Sequence, residues 1–163
     1  MASTQTWSEG NGTNASIETS SRNECNWKNI DDSTSAYSSY PITAGNNSYS
    51  KYQAIKFGGT YNTLSSLNYK VSTNSPGVGL TVAGGVVTAG TTPTTTATGD
   101  GSASTTGVSA NFTTTTMGFA TGSSSTSSNP VYGNAFRTQL QTTGSAVAGD
   151  ISSVTITATW TES

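Results

Sequence analysis

The sequence predicts an all-β protein, an antiparallel β-sandwich of the jelly-roll or immunoglobulin-like type, and three observations lead there. The C-terminus alternates strictly: Val154, Ile156, Ala158 and Trp160 fall on one face and Thr155, Thr157, Thr159 and Thr161 on the other, the period-two signature of a half-buried strand. The chain is rich in Thr, Ser, Gly and Val and poor in Leu, Glu, Lys and Arg, which disfavours helices and suits the pleated backbone. Short apolar runs recur between Gly-rich breaks, as strands and turns do in sandwiches. A parallel α/β sheet needs crossover helices, and no segment here reads as one.

The 163 residues divide by pattern into two parts. Residues 1–48 hold Trp7, Cys25, Trp27 and the pair Asp31-Asp32 without sustained alternation, and read as an N-terminal arm or a set of irregular strands. Residues 49–163 read as the β-sandwich domain. Within it Tyr52 to Phe57 places Gln53, Ile55 and Phe57 on one side, and Leu67, Tyr69 and Val71 alternate after the Gly58-Gly59 break. The run Val78 to Val87, with Gly84-Gly85 inside it, predicts a tight hairpin. Phe112 to Ala120 predicts a strand whose four consecutive Thr specify register weakly. Phe136 to Thr142 alternates again, and the turn-rich Thr143 to Asp150 predicts a closing hairpin between it and the C-terminal strand. The Ser/Thr runs from Thr91 and from Gly122 predict long exposed loops, near 90–105 and 120–130.

Composition narrows function. Leu, Ile, Val and Phe number 23 of 163, below the roughly 20% at which disorder is suspected. The net charge of −2 is too small to hold a chain open. The expectation is an ordered protein with a thin core, stabilised in part by self-association or docking. Four Lys and two Arg, scattered from Arg22 to Arg137, form no basic patch, which argues against nucleic acid as a partner. No apolar run reaches the length of a membrane span, and the first residues lack the basic start and apolar core of an export signal, so synthesis in the cytoplasm without standard secretion is expected. Cys25 is alone and reads as a small buried or half-buried side chain.

The chain has no histidine, which removes the usual general base, the commonest metal ligand and every Ser-His-Asp triad. No phosphate loop and no nucleophile elbow occur. No catalytic residue, cofactor or metal site is therefore expected. Among the eight carboxylates, Asp31 and Asp32 read as a turn or cap, with a calcium site as the lesser reading. Asp150, after Gly149, reads as an Asx-turn. The seven Tyr suit either sugar stacking or packing and subunit contact. The cluster Tyr37, Tyr40, Tyr49 and Tyr52, with Trp7 and Trp27, is the candidate partner interface.

The stretches Asn26 to Asp32, Tyr40 to Gly45 and Ser48 to Phe57 resemble virion structural proteins of tailed bacteriophages, and the ending Ala148 to Trp160 resembles the last strand of small β-sandwich surface modules. Within that class, the size, the lack of an export signal and the Thr/Ser/Gly-rich loops most resemble capsid decoration (cement) proteins. The resemblance implies a non-enzymatic protein that docks on the outside of the major capsid protein shell, commonly as a homotrimer, and stabilises it. It carries over no individual functional residue. A carbohydrate- or receptor-binding sandwich of a head or tail fibre is the alternative, followed by a fimbrial or extracellular adhesin subunit.

Overall fold

The computed structural model describes residues 3–11, 16–17, 25, 27–32, 34–74, 76–86, 114–116, 131–132, 136–149 and 154–163. The loops expected near 90–105 and 120–130, the runs from Thr91 and Gly122, Asp100 and Asp150 lie outside the described residues, as does most of the strand expected over Phe112 to Ala120. Nine strands are described: β1 (Ser3–Asn11), β2 (Ser16–Ile17), β3 (Lys51–Gly59), β4 (Leu64–Asn74), β5 (Leu80–Val86), β6 (Thr114–Thr116), β7 (Val131–Tyr132), β8 (Phe136–Thr142) and β9 (Val154–Glu162). Among the described residues the only helical element is a 3-10 turn at Tyr37–Ser39. The protein is all-β, in two antiparallel sheets. The larger runs β2-β1-β3-β8-β5, with β7 also paired to β3, and the smaller runs β6-β4-β9.

Three elements differ from the sequence expectation. Ser3–Asn11, inside the segment expected as arm or irregular strands, pairs with β3 over eight positions from Ser3↔Gly59 to Gly10↔Tyr52. Val78 to Val87 is not a hairpin. Its Gly84-Gly85 pair lies within β5, opposite Thr138 and Arg137 of β8, because a residue pair without side chains also serves where strands are closely covered. β8 and β9 form no closing hairpin. β8 pairs with β3 and β5, whereas β9 pairs with β4 in the other sheet, so the chain crosses between sheets after Thr142.

Strand registers assign the faces, since directly opposed residues point the same way. One face of the larger sheet carries Trp7 and Glu9 of β1, then Lys51, Gln53, Ile55 and Phe57 of β3, Thr138 and Leu140 of β8 and Val82 of β5. Ile55 and Phe57 meet Tyr61, Leu67, Leu64, Ile156, Ala158 and Trp160 in one apolar cluster drawn from both sheets. Phe57 and Trp160 touch edge to face at 5.2 Å, the arrangement aromatic quadrupoles favour. A second cluster joins Trp27, Val82 and Leu140, with Cys25, Ile42, Leu80 and Val154 against them. The opposite face of the larger sheet is buried as well, at Ser8, Tyr52, Ala83 and Gln139.

The sheets are tied at their ends. The Glu162 carboxylate accepts from the Ser3 N–H at 2.9 Å and from its hydroxyl, joining the end of β9 to the start of β1. In β4 the register shifts between Ser65 and Asn68, and Ser66 takes φ 56° there, a left-handed backbone that a bulge imposes at some cost to a non-glycine residue.

Candidate functional site

Among the described residues, two places hold the side chains with potential for function: a buried charged cluster beside β3 and an exposed loop end.

The cluster begins with an anomaly of position. Lys51 stands in line with Gln53, Ile55 and Phe57, so its side chain enters the space that the apolar residues fill further along. It is fully buried, as are Lys28 and Glu9. A buried ammonium is tolerated only with partners, and segment 28–35 supplies them. Lys51 Nζ donates to the Asp32 carbonyl at 3.0 Å and lies 3.9 Å from Asp31 Oδ1. Lys28 Nζ donates to the Ser35 carbonyl at 2.6 Å and pairs with Asp32 Oδ1 at 2.7 Å. Asp32 also accepts from the N–H groups of Thr34 and Ser35 and from the Ser35 hydroxyl, so it acts as the turn-forming carboxylate expected of this pair. Burial alone would raise its carboxyl, but Lys28 and the Ser35 donors outweigh that and hold it well below the usual carboxylate range. Burial pushes the Lys51 ammonium below its usual value, against the charges of Glu9 and Asp31.

Asp31 differs from its neighbour. Its carboxylate oxygens are shielded from solvent and accept no hydrogen bond. The adjacent cation is Lys51, its Nζ 3.9 Å from Asp31 Oδ1. Among the described residues no group of three or more His, Cys, Asp or Glu is arranged so that it could hold a metal ion.

The cluster continues as hydrogen bonds toward the second apolar group. Gln53 donates to Cys25 Sγ at 2.8 Å and accepts from Thr138 Oγ1 at 3.1 Å. Thr138 Oγ1 in turn accepts from Trp27 Nε1 at 3.0 Å. Ser48 is bonded to β8 three times, donating its N–H to the Leu140 carbonyl, accepting the Leu140 N–H on its hydroxyl and accepting the Gln139 side-chain amide on its carbonyl. Segment 25–50 is thus held on the larger sheet by polar contacts around a few apolar ones.

The structure separates the expected interface residues. Trp27 and Tyr52 are buried, Trp27 by its bond to Thr138 and Tyr52 on the opposite face with the Arg137 guanidinium 5.9 Å from its ring. Trp7 is half-buried against the first apolar cluster, and Tyr49 is half-buried with its N–H on the Lys28 carbonyl. Tyr37 and Tyr40, at 48% and 38% exposure, remain on the surface around the 3-10 turn.

The exposed loop end is a place the sequence reading did not single out. Thr43–Asn46, Gly77–Gly79 and Thr143–Gly149 converge there: Gly45 donates to Thr143 and Thr142, and Thr143 donates to the Gly79 carbonyl. Gly79, at φ 72°, sits so close that a Cβ would lie 2.7 Å from the Ala146 nitrogen. On this end Val78 and Val147 are 77% and 76% exposed. Two Val in Gly-rich turns were the available signal, since turns ordinarily carry polar side chains.

No protein-family model, curated protein or solved structure matches the chain.

Proposed function

We propose that the protein is a non-enzymatic β-sandwich, of jelly-roll or immunoglobulin-like type, that docks on a larger protein surface through its exposed loop end. The class we assign is a virion decoration (cement) protein, acting as a homotrimer on the outside of a phage capsid with the major capsid protein as partner. The carrying observation is the pair of outward Val78 and Val147 on three mutually bonded loops. Apolar side chains held outward on a braced end lose little entropy on docking and gain by burial. The sandwich assignment is supported by the apolar cluster drawn from both sheets. The absence of histidine from the sequence and the structural use of Lys28, Lys51 and Asp32 favour a structural role over catalysis.

Light scattering of the purified protein, alone and with capsid shells, tests this. A trimer with saturable shell binding, lost in Val78→Asp/Val147→Asp while circular dichroism is unchanged, is the expected result. A monomer indifferent to shells overturns it. The exposed Tyr37 and Tyr40, beside Pro41, favour carbohydrate binding as the second reading. Glycan binding that disappears in Tyr37→Ala/Tyr40→Ala would establish that reading instead.

A further inference from the structure

The paired Lys and Asp residues of segment 28–35 and β3 are chemically unequal, and the inequality points to a covalent product. Lys28 faces Asp32, a carboxylate held as the anion by several donors and partly open to water. Such an anion is a poor electrophile, and the pair stays ionic. Lys51 faces Asp31, whose two oxygens are shielded and accept no hydrogen bond. Lys51 is itself fully buried, and Glu9 lies buried on the same face of the neighbouring strand, opposite Gln53.

We propose that Lys51 and Asp31 are joined by an intramolecular amide, formed by the folded chain itself, with Glu9 as the proton carrier. The proposal is independent of what the exposed loop end binds. Burial disfavours the charged ammonium of Lys51, and the amine lone pair left when Lys51 passes a proton to the Asp31 carboxylate is the nucleophile that amide formation needs. Lys51 Nζ lies 3.9 Å from Asp31 Oδ1, and a side-chain adjustment of the pair brings it toward Asp31 Cγ, to the contact distance of about 3–3.5 Å at which oriented groups react. The Nζ lone pair attacks Asp31 Cγ, forming the C–N bond. Glu9 takes a proton from the nitrogen and returns it to the departing oxygen. The Cγ–O bond breaks and one water leaves, with no change of oxidation state and no co-reactant. The amide keeps one N–H, and the Asp32 carbonyl that now accepts from Lys51 at 3.0 Å is in place to accept it. The product removes both buried ions and fastens segment 28–35 to the larger sheet.

Intact-mass measurement of the full chain, followed by peptide mapping, tests the proposal. The expected result is a mass one water below that of the sequence, with a branched peptide linking Asp31 to Lys51 and no tryptic cleavage after Lys51. The full sequence mass with ordinary cleavage at Lys51 overturns it. So does a water loss that maps to Asp100-Gly101, which would be a succinimide. Asp31→Ala should restore the full mass for its sequence. Asp31→Asn should still yield the branched peptide, with ammonia leaving in place of water. Glu9→Gln, checked for native circular dichroism, should accumulate the uncross-linked chain.

Discussion

The inward face of the larger sheet has two ends that solve the same problem differently. At the Phe57 end, β3 is covered by the smaller sheet, and Ile55, Phe57, Leu67 and Trp160 pack carbon against carbon. At the Lys51 end it is covered by segment 25–50, and Lys28, Lys51, Glu9, Gln53 and Thr138 are buried in their place. Both ends run along one strand, Lys51–Gly59, so backbone geometry does not distinguish them. What differs is the cover. A strand cover brings its own hydrogen-bonded backbone and offers apolar side chains, whereas an irregular segment brings carbonyls such as those of Asp32 and Ser35 that need donors. The two lysines supply those donors. The polar end is therefore a way of burying irregular backbone, and it compensates for the small number of large apolar residues available.

From that contrast the largest single loss is expected at the apolar end. Phe57→Ala removes a fully buried ring in contact with Trp160 and should cost about 3–5 kcal/mol, read as a lowered midpoint in guanidinium unfolding. A loss below about 1 kcal/mol would mean that the polar end anchors the fold.

At the polar end, Lys28→Met keeps the aliphatic stem but leaves the Ser35 carbonyl and the Asp32 carboxylate without their cation. A loss of about 2 kcal/mol is expected, below that of a wholly enclosed pair because Asp32 reaches solvent. Greater amide exchange in 28–35, with β3 and β4 unchanged, would show that the lysine holds the cover and not the sheet. Equal deprotection of both regions would erase the distinction between the ends.

The apolar end has one polar flaw that sharpens the contrast. The Tyr61 hydroxyl is buried and has no hydrogen-bond partner, and burial, then the Glu162 charge, pushes its ionisation above the usual value. Tyr61→Phe should raise stability by about 1 kcal/mol, the part of the desolvation cost that is recovered. A destabilised variant would mean that the hydroxyl is satisfied in solution by water.

Legibility from sequence follows the same division. β9 was readable because Val154, Ile156, Ala158 and Trp160 are half-buried in strict alternation with exposed Thr, and β3 because Gln53, Ile55 and Phe57 do share a face. β1 was not, since its row of Gln5, Trp7 and Glu9, on the face that Phe57 shares, has one apolar member and hydrophobic periodicity is silent on it. The aromatic cluster was legible as a cluster but not as a surface. Trp27 and Tyr52 carry polar atoms and large apolar bodies, and that chemistry suits an interface or a core equally. Lys51 offered the clearest unused sign, a charge two residues from Gln53 in an otherwise inward row. Strand partnership was the least legible feature. The turn-rich Thr143 to Gly149 looks like a hairpin loop, yet it belongs to the exposed loop end where the chain leaves the larger sheet.

The smallest effect, and the finest test of the polar end, is its dependence on acid. Because the native carboxyl of Asp32 is depressed, its contribution is fully present above the unfolded value near 4 and is lost as pH falls toward the native value. Asp32→Asn should be less stable than the parent protein at pH 7, and the gap should narrow steadily below about pH 4. Added salt should reduce the gap at neutral pH, since about a third of this side chain is exposed (31%) and its attraction to Lys28 is partly screened. A gap that neither pH nor salt changes would mean that Asp32 acts through the hydrogen bonds that asparagine retains, and that Lys28 is held by the Ser35 carbonyl alone.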